Sequence, residues 1–131
     1  MASENRPLDP NPITTHILDT ASGLPASGVH IILERSSNCS DLETCSWEKI
    51  GETLTNADGR GPGLCSGFAF QNPPPIGVYK ATFYTQVYFE RRGLSTFYPK
   101  VEIIFRIVDP YQHYHIPLLL SPYGYSTYRG S

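Results

Sequence analysis

Val101-Glu-Ile-Ile-Phe-Arg-Ile-Val108, a turn at Asp109-Pro110, and then His113-Tyr-His-Ile-Pro-Leu-Leu-Leu120 decide the fold class. In the first run Val101, Ile103, Phe105 and Ile107 fall on one face and Glu102 and Arg106 on the other. That period of two belongs to a half-buried strand, because successive side chains point to opposite sides of a sheet. The second run places Tyr114, Ile116, Leu118 and Leu120 on one face. His113, His115 and Pro117 share the opposite face.

Working outward, Ile13 to Asp19 reads as a strand, and Val29 to Arg35 as another with Val29, Ile31 and Leu33 on one face. Between them Ala21 to Gly28 reads as a turn cluster. Trp47 to Thr55 is a strand, and the Asp58-Gly59 pair after it marks a tight turn at Asn56-Ala-Asp-Gly-Arg60. Leu64 to Phe70 is expected to be a short strand. Gln71 to Gly77, with three consecutive prolines, must be a loop. Val78 to Tyr84 is a strand, and Thr85 to Arg92 a short helix ended by Gly93. Many closely spaced strands with little helix imply an all-β sandwich. Residues 1–12 are polar, carry prolines at 7, 10 and 12, and read as a mobile arm ahead of a single domain over 13–131.

Net charge is −2, which argues against a nucleic-acid partner. No apolar run approaches a membrane span. The stretch before the first strand lacks the apolar core of a secretory signal. Together with only three cysteines, Cys39, Cys45 and Cys65, this points to a reducing compartment. Cys65 reads as a small buried residue, while Cys39 and Cys45 are close enough in sequence to close a small loop under oxidation.

The candidate chemistry lies with the histidines, His16, His30, His113 and His115. If the apolar positions fill the core, His16, His113 and His115 face outward. Any one of them alone is an unremarkable surface residue. A sheet's outer face becomes a pocket only when something covers it, and self-association is the simplest cover. The His-x-His spacing suits a metal, but no third ligand is apparent and none is expected to bind. Arg60 follows the turn and offers a fixed fork of donors for carbonyl or anionic oxygens. The run from Tyr123 to Tyr128 is too aromatic for a frayed end.

Several stretches resemble the 5-hydroxyisourate hydrolases, the enzyme branch of the transthyretin-like proteins. They are Ile13-Thr-Thr-His-Ile-Leu-Asp-Thr20 with Gly23-Leu-Pro-Ala26, then Thr55-Asn-Ala-Asp-Gly-Arg60, Phe97-Tyr-Pro-Lys-Val-Glu-Ile103, and His113-Tyr-His-Ile-Pro-Leu-Leu-Leu-Ser-Pro-Tyr-Gly-Tyr-Ser-Thr-Tyr-Arg-Gly-Ser131. The terminal Tyr-Arg-Gly-Ser separates the hydrolases from the hormone carrier of the same fold. The resemblance implies a β-sandwich of two four-stranded sheets with one short helix, a homotetramer, and active sites in a channel between paired dimers. It implies hydrolysis of a small molecule, 5-hydroxyisourate, without a cofactor. It marks His16, Arg60 and His115 as catalytic, and His16, Arg60, Tyr128 and Ser131 as substrate contacts. His113 is read only as a support for the fold. The segment Ser36 to Ser46 is longer than in compact members of the family. The compartment is left between cytosol and peroxisome, since the last three residues, Arg129-Gly-Ser131, are not a Ser-Lys-Leu signal.

Overall fold

The structure is a computed structural model, and it describes residues 6–37 and 41–131. It is a sandwich of two four-stranded sheets. One sheet has the order β2-β1-β7-β8, formed by Leu24–Pro25, Ile13–Asp19, Tyr114–Ser121 and Gly124–Thr127. The other has the order β4-β3-β5-β6, formed by Trp47–Leu54, His30–Ser36, Gly77–Tyr84 and Val101–Ile107. A single helix, α1 (Thr85–Glu90), follows β5. Among the described residues no helix is long and apolar enough to cross a membrane.

The core lies where the two inner faces meet. Ile13 and Ile17 of β1, and Tyr114, Ile116, Leu118 and Leu120 of β7, pack toward Ile31, Leu33, Tyr79, Ala81, Phe83, Val101, Ile103 and Ile107. The period-two pattern of the sequence is therefore the inside–outside pattern of the sheets. In β4 the pattern breaks, with Ile50 and Gly51 buried side by side. A bulge explains this, since Leu33 opposes Gly51 while Glu34 opposes Lys49, leaving Ile50 as the extra residue.

Two local expectations are corrected. Leu64 to Phe70 is not a strand. Its backbone closes on itself in reverse turns, with the Ser66 amide donating to Gly63 O at 3.1 Å and the Phe70 amide to Gly67 O at 3.1 Å. The segment instead lies against β4, so closely that a Cβ on Gly51 would stand 2.2 Å from Leu64 O. The turn cluster Ala21 to Gly28 contains the two-residue strand β2, folded back onto Leu18 and Asp19 by Gly23 at φ +76°. Pro117, in register with His16, keeps to the face of His115 but is buried there, with its carbonyl accepting from Thr127 Oγ1 at 2.7 Å.

Buried polar groups anchor the β1 end. The Asp19 carboxylate accepts from the Ala21 and Ser22 amides and, at 2.7 Å, from Tyr88 Oη on α1. Burial, reinforced by the Asp19 carboxylate, raises the Tyr88 phenol to about 12. Cys65 is buried, donates to Ile13 O at 3.2 Å, and has its thiol pushed up to about 11 by burial. Cys39 lies outside the described residues. Residues 6–12 run along the body. Arg6 pairs with Asp109 at 2.8 Å and lies over the Tyr111 ring, and the Asp9 carbonyl accepts from Asn72 Nδ2 at 2.8 Å.

Candidate active site

The site stands on the outer face of the first sheet, and its origin is the pairing of its two central strands, β1 and β7. These strands run parallel in a register that sets Thr14 beside His115 and His16 beside Pro117. The outward residues of β1, Thr14 and His16, thus share a face with His115.

Arg60 is brought there by its turn. Asn56 Oδ1 accepts from the Asp58 amide at 3.0 Å and the Arg60 amide at 3.1 Å, and the Asn56 amide donates to Arg60 O at 2.8 Å. The turn then docks on β1, with the Ile17 amide donating to Gly59 O at 2.8 Å and His16 bridging to Arg60 through the backbone. Gly59 is required on two counts. Its φ is +75°, and a Cβ there would stand 2.4 Å from Ile17 O. Gly61 is required on steric grounds, since its Cβ would stand 2.7 Å from Thr53 Cγ2. Two glycines flanking one arginine let the turn press against β1, which carries His16, and against Thr53 of β4.

The chain end arrives from the other side. β8 pairs antiparallel with β7, the Arg129 guanidinium lies 4.7 Å over the Tyr114 ring, and the Gly130 amide donates to His115 O at 2.9 Å. Gly130 passes directly over the imidazole. A Cβ added to it would lie 2.5 Å from His115 Cδ2. Ser131 is thereby delivered to the cavity.

That cavity, of about 730 Å³, is lined by Asn11, Thr14, Arg60, His113, His115 and Ser131, among others. Of the residues singled out in the sequence, it gathers Arg60, His113, His115 and Ser131. His16 is close enough for its charge to act on His115. Tyr128 is placed elsewhere. It is 60% exposed and lines a smaller depression of about 230 Å³ with Ile103, Ile104, Phe105 and Ile116. His30 is on the other sheet, paired with Glu52 and stacked on Tyr84. Thr14, Asn11 and Asn56 were not picked out by sequence reasoning. Thr14 was within reach of it, because it shares the outward face of β1 with His16.

His115 titrates below the ordinary histidine value. Partial burial is the main cause, followed by the positive charge of Arg60 and by the repulsion that His113 and His16 exert when protonated. An imidazole so placed is neutral at neutral pH and can accept a proton. Arg60, exposed at the rim, presents its donors to the same space. The set comprises a poised base, a forked cation and a hydroxyl-bearing residue, and is suited to adding water to a polar carbonyl. Among the described residues no group of three or more His, Cys, Asp or Glu could hold a metal ion.

Residues 13–130 match the sequence model of the HIUase/Transthyretin family. The chain belongs to this family. Mouse 5-hydroxyisourate hydrolase is 46% identical, with the whole of both chains covered. The structure of Klebsiella pneumoniae 5-hydroxyisourate hydrolase is 37% identical with a TM-score of 0.72, covering 91% of this chain and 98% of that one. Sea bream transthyretin, in complex with thyroxine, is 29% identical with a TM-score of 0.78, covering 91% and 94%. Backbone likeness thus extends to both branches of the HIUase/Transthyretin family, and the side chains must separate them.

Proposed function

We infer that this chain is a 5-hydroxyisourate hydrolase, opening the oxidised purine ring to 2-oxo-4-hydroxy-4-carboxy-5-ureidoimidazoline in urate catabolism. The observation that carries this reading is the convergence on one cavity of a low-pKa His115, the Arg60 fork and the Ser131 end. A hydrolase named for this substrate shares nearly half of the sequence, over its full length.

Water bound in the cavity gives a proton to His115 as it attacks a ring carbonyl. Arg60 donates to the oxygen on which negative charge develops, a role for which the planar fork is suited. Collapse of the tetrahedral intermediate breaks the C–N bond, and an imidazole returns the proton to the leaving nitrogen. His16, held beside Arg60 by the backbone bridge, is the second imidazole available for that return. Net, one water is added, and no cofactor takes part in these steps.

Oligomerisation is part of the reading. β6 and β8 are the outer strands of their sheets, and an apolar depression opens between them. Unpaired edges of this kind invite pairing with another copy. A homotetramer, a dimer of dimers, would cover these edges and roof the histidine face. Tyr128 would then meet substrate from across a subunit boundary, because within one chain it faces a different depression. A cytosolic or peroxisomal location fits the sparse thiols, with Cys65 buried.

The higher TM-score to a transthyretin favours a second reading, a carrier of an aromatic ligand in the channel. Ultraviolet decay of freshly generated 5-hydroxyisourate separates the two. Protein-dependent acceleration that falls by about 10²–10⁴ in His115→Ala supports the hydrolase. No acceleration by the assembled protein overturns it, and thyroxine binding would then favour the carrier.

A further inference from the structure

A line of hydrogen-bonded side chains runs along the site to His115. Asp9 Oδ2 lies 2.8 Å from His113 Nδ1, His113 Nε2 lies 2.8 Å from Thr14 Oγ1, and Thr14 Oγ1 lies 2.8 Å from His115 Nδ1. The two imidazoles are nearly parallel, with centroids 6.5 Å apart and 20° between planes. Four side chains, from the N-terminal segment, β1, β7 and the residue just before β7, thus form one line ending at the proposed base.

Donor counting gives the line a direction. An ionised carboxylate only accepts, so Asp9 requires a proton on His113 Nδ1. Neutral His113 then carries a lone pair on Nε2 and must accept from the Thr14 hydroxyl. The hydroxyl has one proton and has given it away, so its oxygen accepts from His115 Nδ1–H. With Nδ1 protonated, neutral His115 holds its lone pair on Nε2. We propose that Asp9, His113 and Thr14 form a positioning relay that fixes His115 as the Nδ1–H tautomer and so reserves Nε2 for proton abstraction. His113, read from the sequence only as a support for the fold, becomes a positioning residue, and Thr14 the link through which it acts. The Asp9 carboxylate is held below the usual range by the Asn11 amide and by His113, so it stays ionised throughout the neutral region.

The direction is reversible, which makes the assignment testable. In Asp9→Asn an amide N–H can donate to His113 Nδ1. The proton then sits on His113 Nε2, Thr14 accepts it and donates to His115 Nδ1, and His115 becomes the Nε2–H tautomer with no base presented. The consequence for turnover rests on the hydrolase reading, but the tautomer does not. Nitrogen-15 spectra of histidine-labelled full-length protein, recorded above the His115 titration, read it without substrate. The expected wild-type His115 has Nδ1 protonated and Nε2 bare, with a shift toward the opposite form in Asp9→Asn. Thr14→Val is expected to mix the tautomers and lower kcat by about tenfold to a hundredfold with less than about threefold change in KM, and Thr14→Ser to restore both. Thermal unfolding of the three variants checks that the fold is intact. An Nε2–H tautomer in the wild type overturns the relay. So does a Thr14→Val protein whose tautomer and kcat match the wild type. The expected tautomers in a protein that leaves 5-hydroxyisourate untouched would uphold the relay and remove the hydrolase reading alone.

Discussion

Replacing Gly130 with alanine tests whether the chain end must lie on the imidazole. A Cβ at this position would stand 2.5 Å from His115 Cδ2, 3.1 Å from Cγ and 3.2 Å from Cβ. Carbon atoms prefer about 3.5–4.0 Å, so ring and backbone must separate by about 1 Å. The imidazole is tied to Thr14 at 2.8 Å, and the strand behind it is held by β1. The chain end, exposed and carrying a single backbone bond to His115, is the side that yields. Lengthening that 2.9 Å bond by such an amount breaks it, at a cost of about 1 kcal/mol. For a chain of this size that lowers Tm by only a few degrees. The kinetic loss should be larger, because a misplacement of about 1 Å at a site can cost on the order of 10²-fold. Gly130→Ala is therefore expected to keep its fold by thermal unfolding while kcat/KM for 5-hydroxyisourate drops about a hundredfold. Wild-type kcat/KM in this variant would refute the close approach as a requirement of the site.

The remaining expectations concern charge and burial. Because His115 titrates below the ordinary histidine value, the acid limb of kcat/KM should lie below about pH 6.5. Arg60→Gln removes one of the lowering charges and should move that limb upward, besides slowing turnover, and a limb that stays or falls would contradict the electrostatic role. The same depressed value makes the unfolded chain bind more protons, so this group's contribution to stability is present above about pH 6.5 and is lost as pH falls through the folded value. Thr15, 1% exposed, has a buried hydroxyl without a hydrogen-bond partner, and Thr15→Val should raise stability by about 1 kcal/mol in denaturant unfolding. Tyr88→Phe strips the Asp19 carboxylate of its 2.7 Å donor inside the protein and should cost about 1–3 kcal/mol, with a neutral result arguing that water replaces the phenol.

Alternation made most of the sandwich legible. The strands β1, β3, β6 and β7 follow period-two runs, while β4 and β5 fall where strands were expected without a clean alternation, and the residues assigned inward in β1, β3, β6 and β7 do line the core apart from the partly buried Phe105. It failed where backbone geometry overrides pattern. Leu64 and Cys65 are apolar and buried, yet Gly63 and Gly67 turn the chain around them, so burial without pairing passed for a strand. At the site, alternation showed His16 and His115 as outward and Arg60 as a turn residue, while the resemblance to the hydrolases was what marked the three as catalytic. Their meeting was not local, since it depends on β1 lying parallel to β7 and on the Gly59 turn docking at Ile17. The same holds for Thr14, whose partners His113 and His115 stand about a hundred residues away. Tyr128 shows the converse, a residue prominent in sequence that one chain does not bring to the cavity.

The parallel ladder between β1 and β7 also constrains how the protein is made. It joins Ile13 to Tyr114, whereas β3, β4, β5 and β6 pair within residues 30–107 through antiparallel neighbours. At a synthesis rate of about 5–20 residues per second, β1 waits roughly 5–20 s after its own emergence before its partner strand leaves the ribosome. During that interval Ile13 and Ile17 have no sheet to join. Non-local pairing is also the slower class of contact once the chain is complete. Pulse-labelled hydrogen exchange during refolding should therefore find the amides of β3 and β5 protected before those of β1, and simultaneous protection would show that the two sheets condense together. On this order the face proposed for catalysis is the last part of the chain to form, and a molecule cut short before β7 is expected to lack the proposed activity.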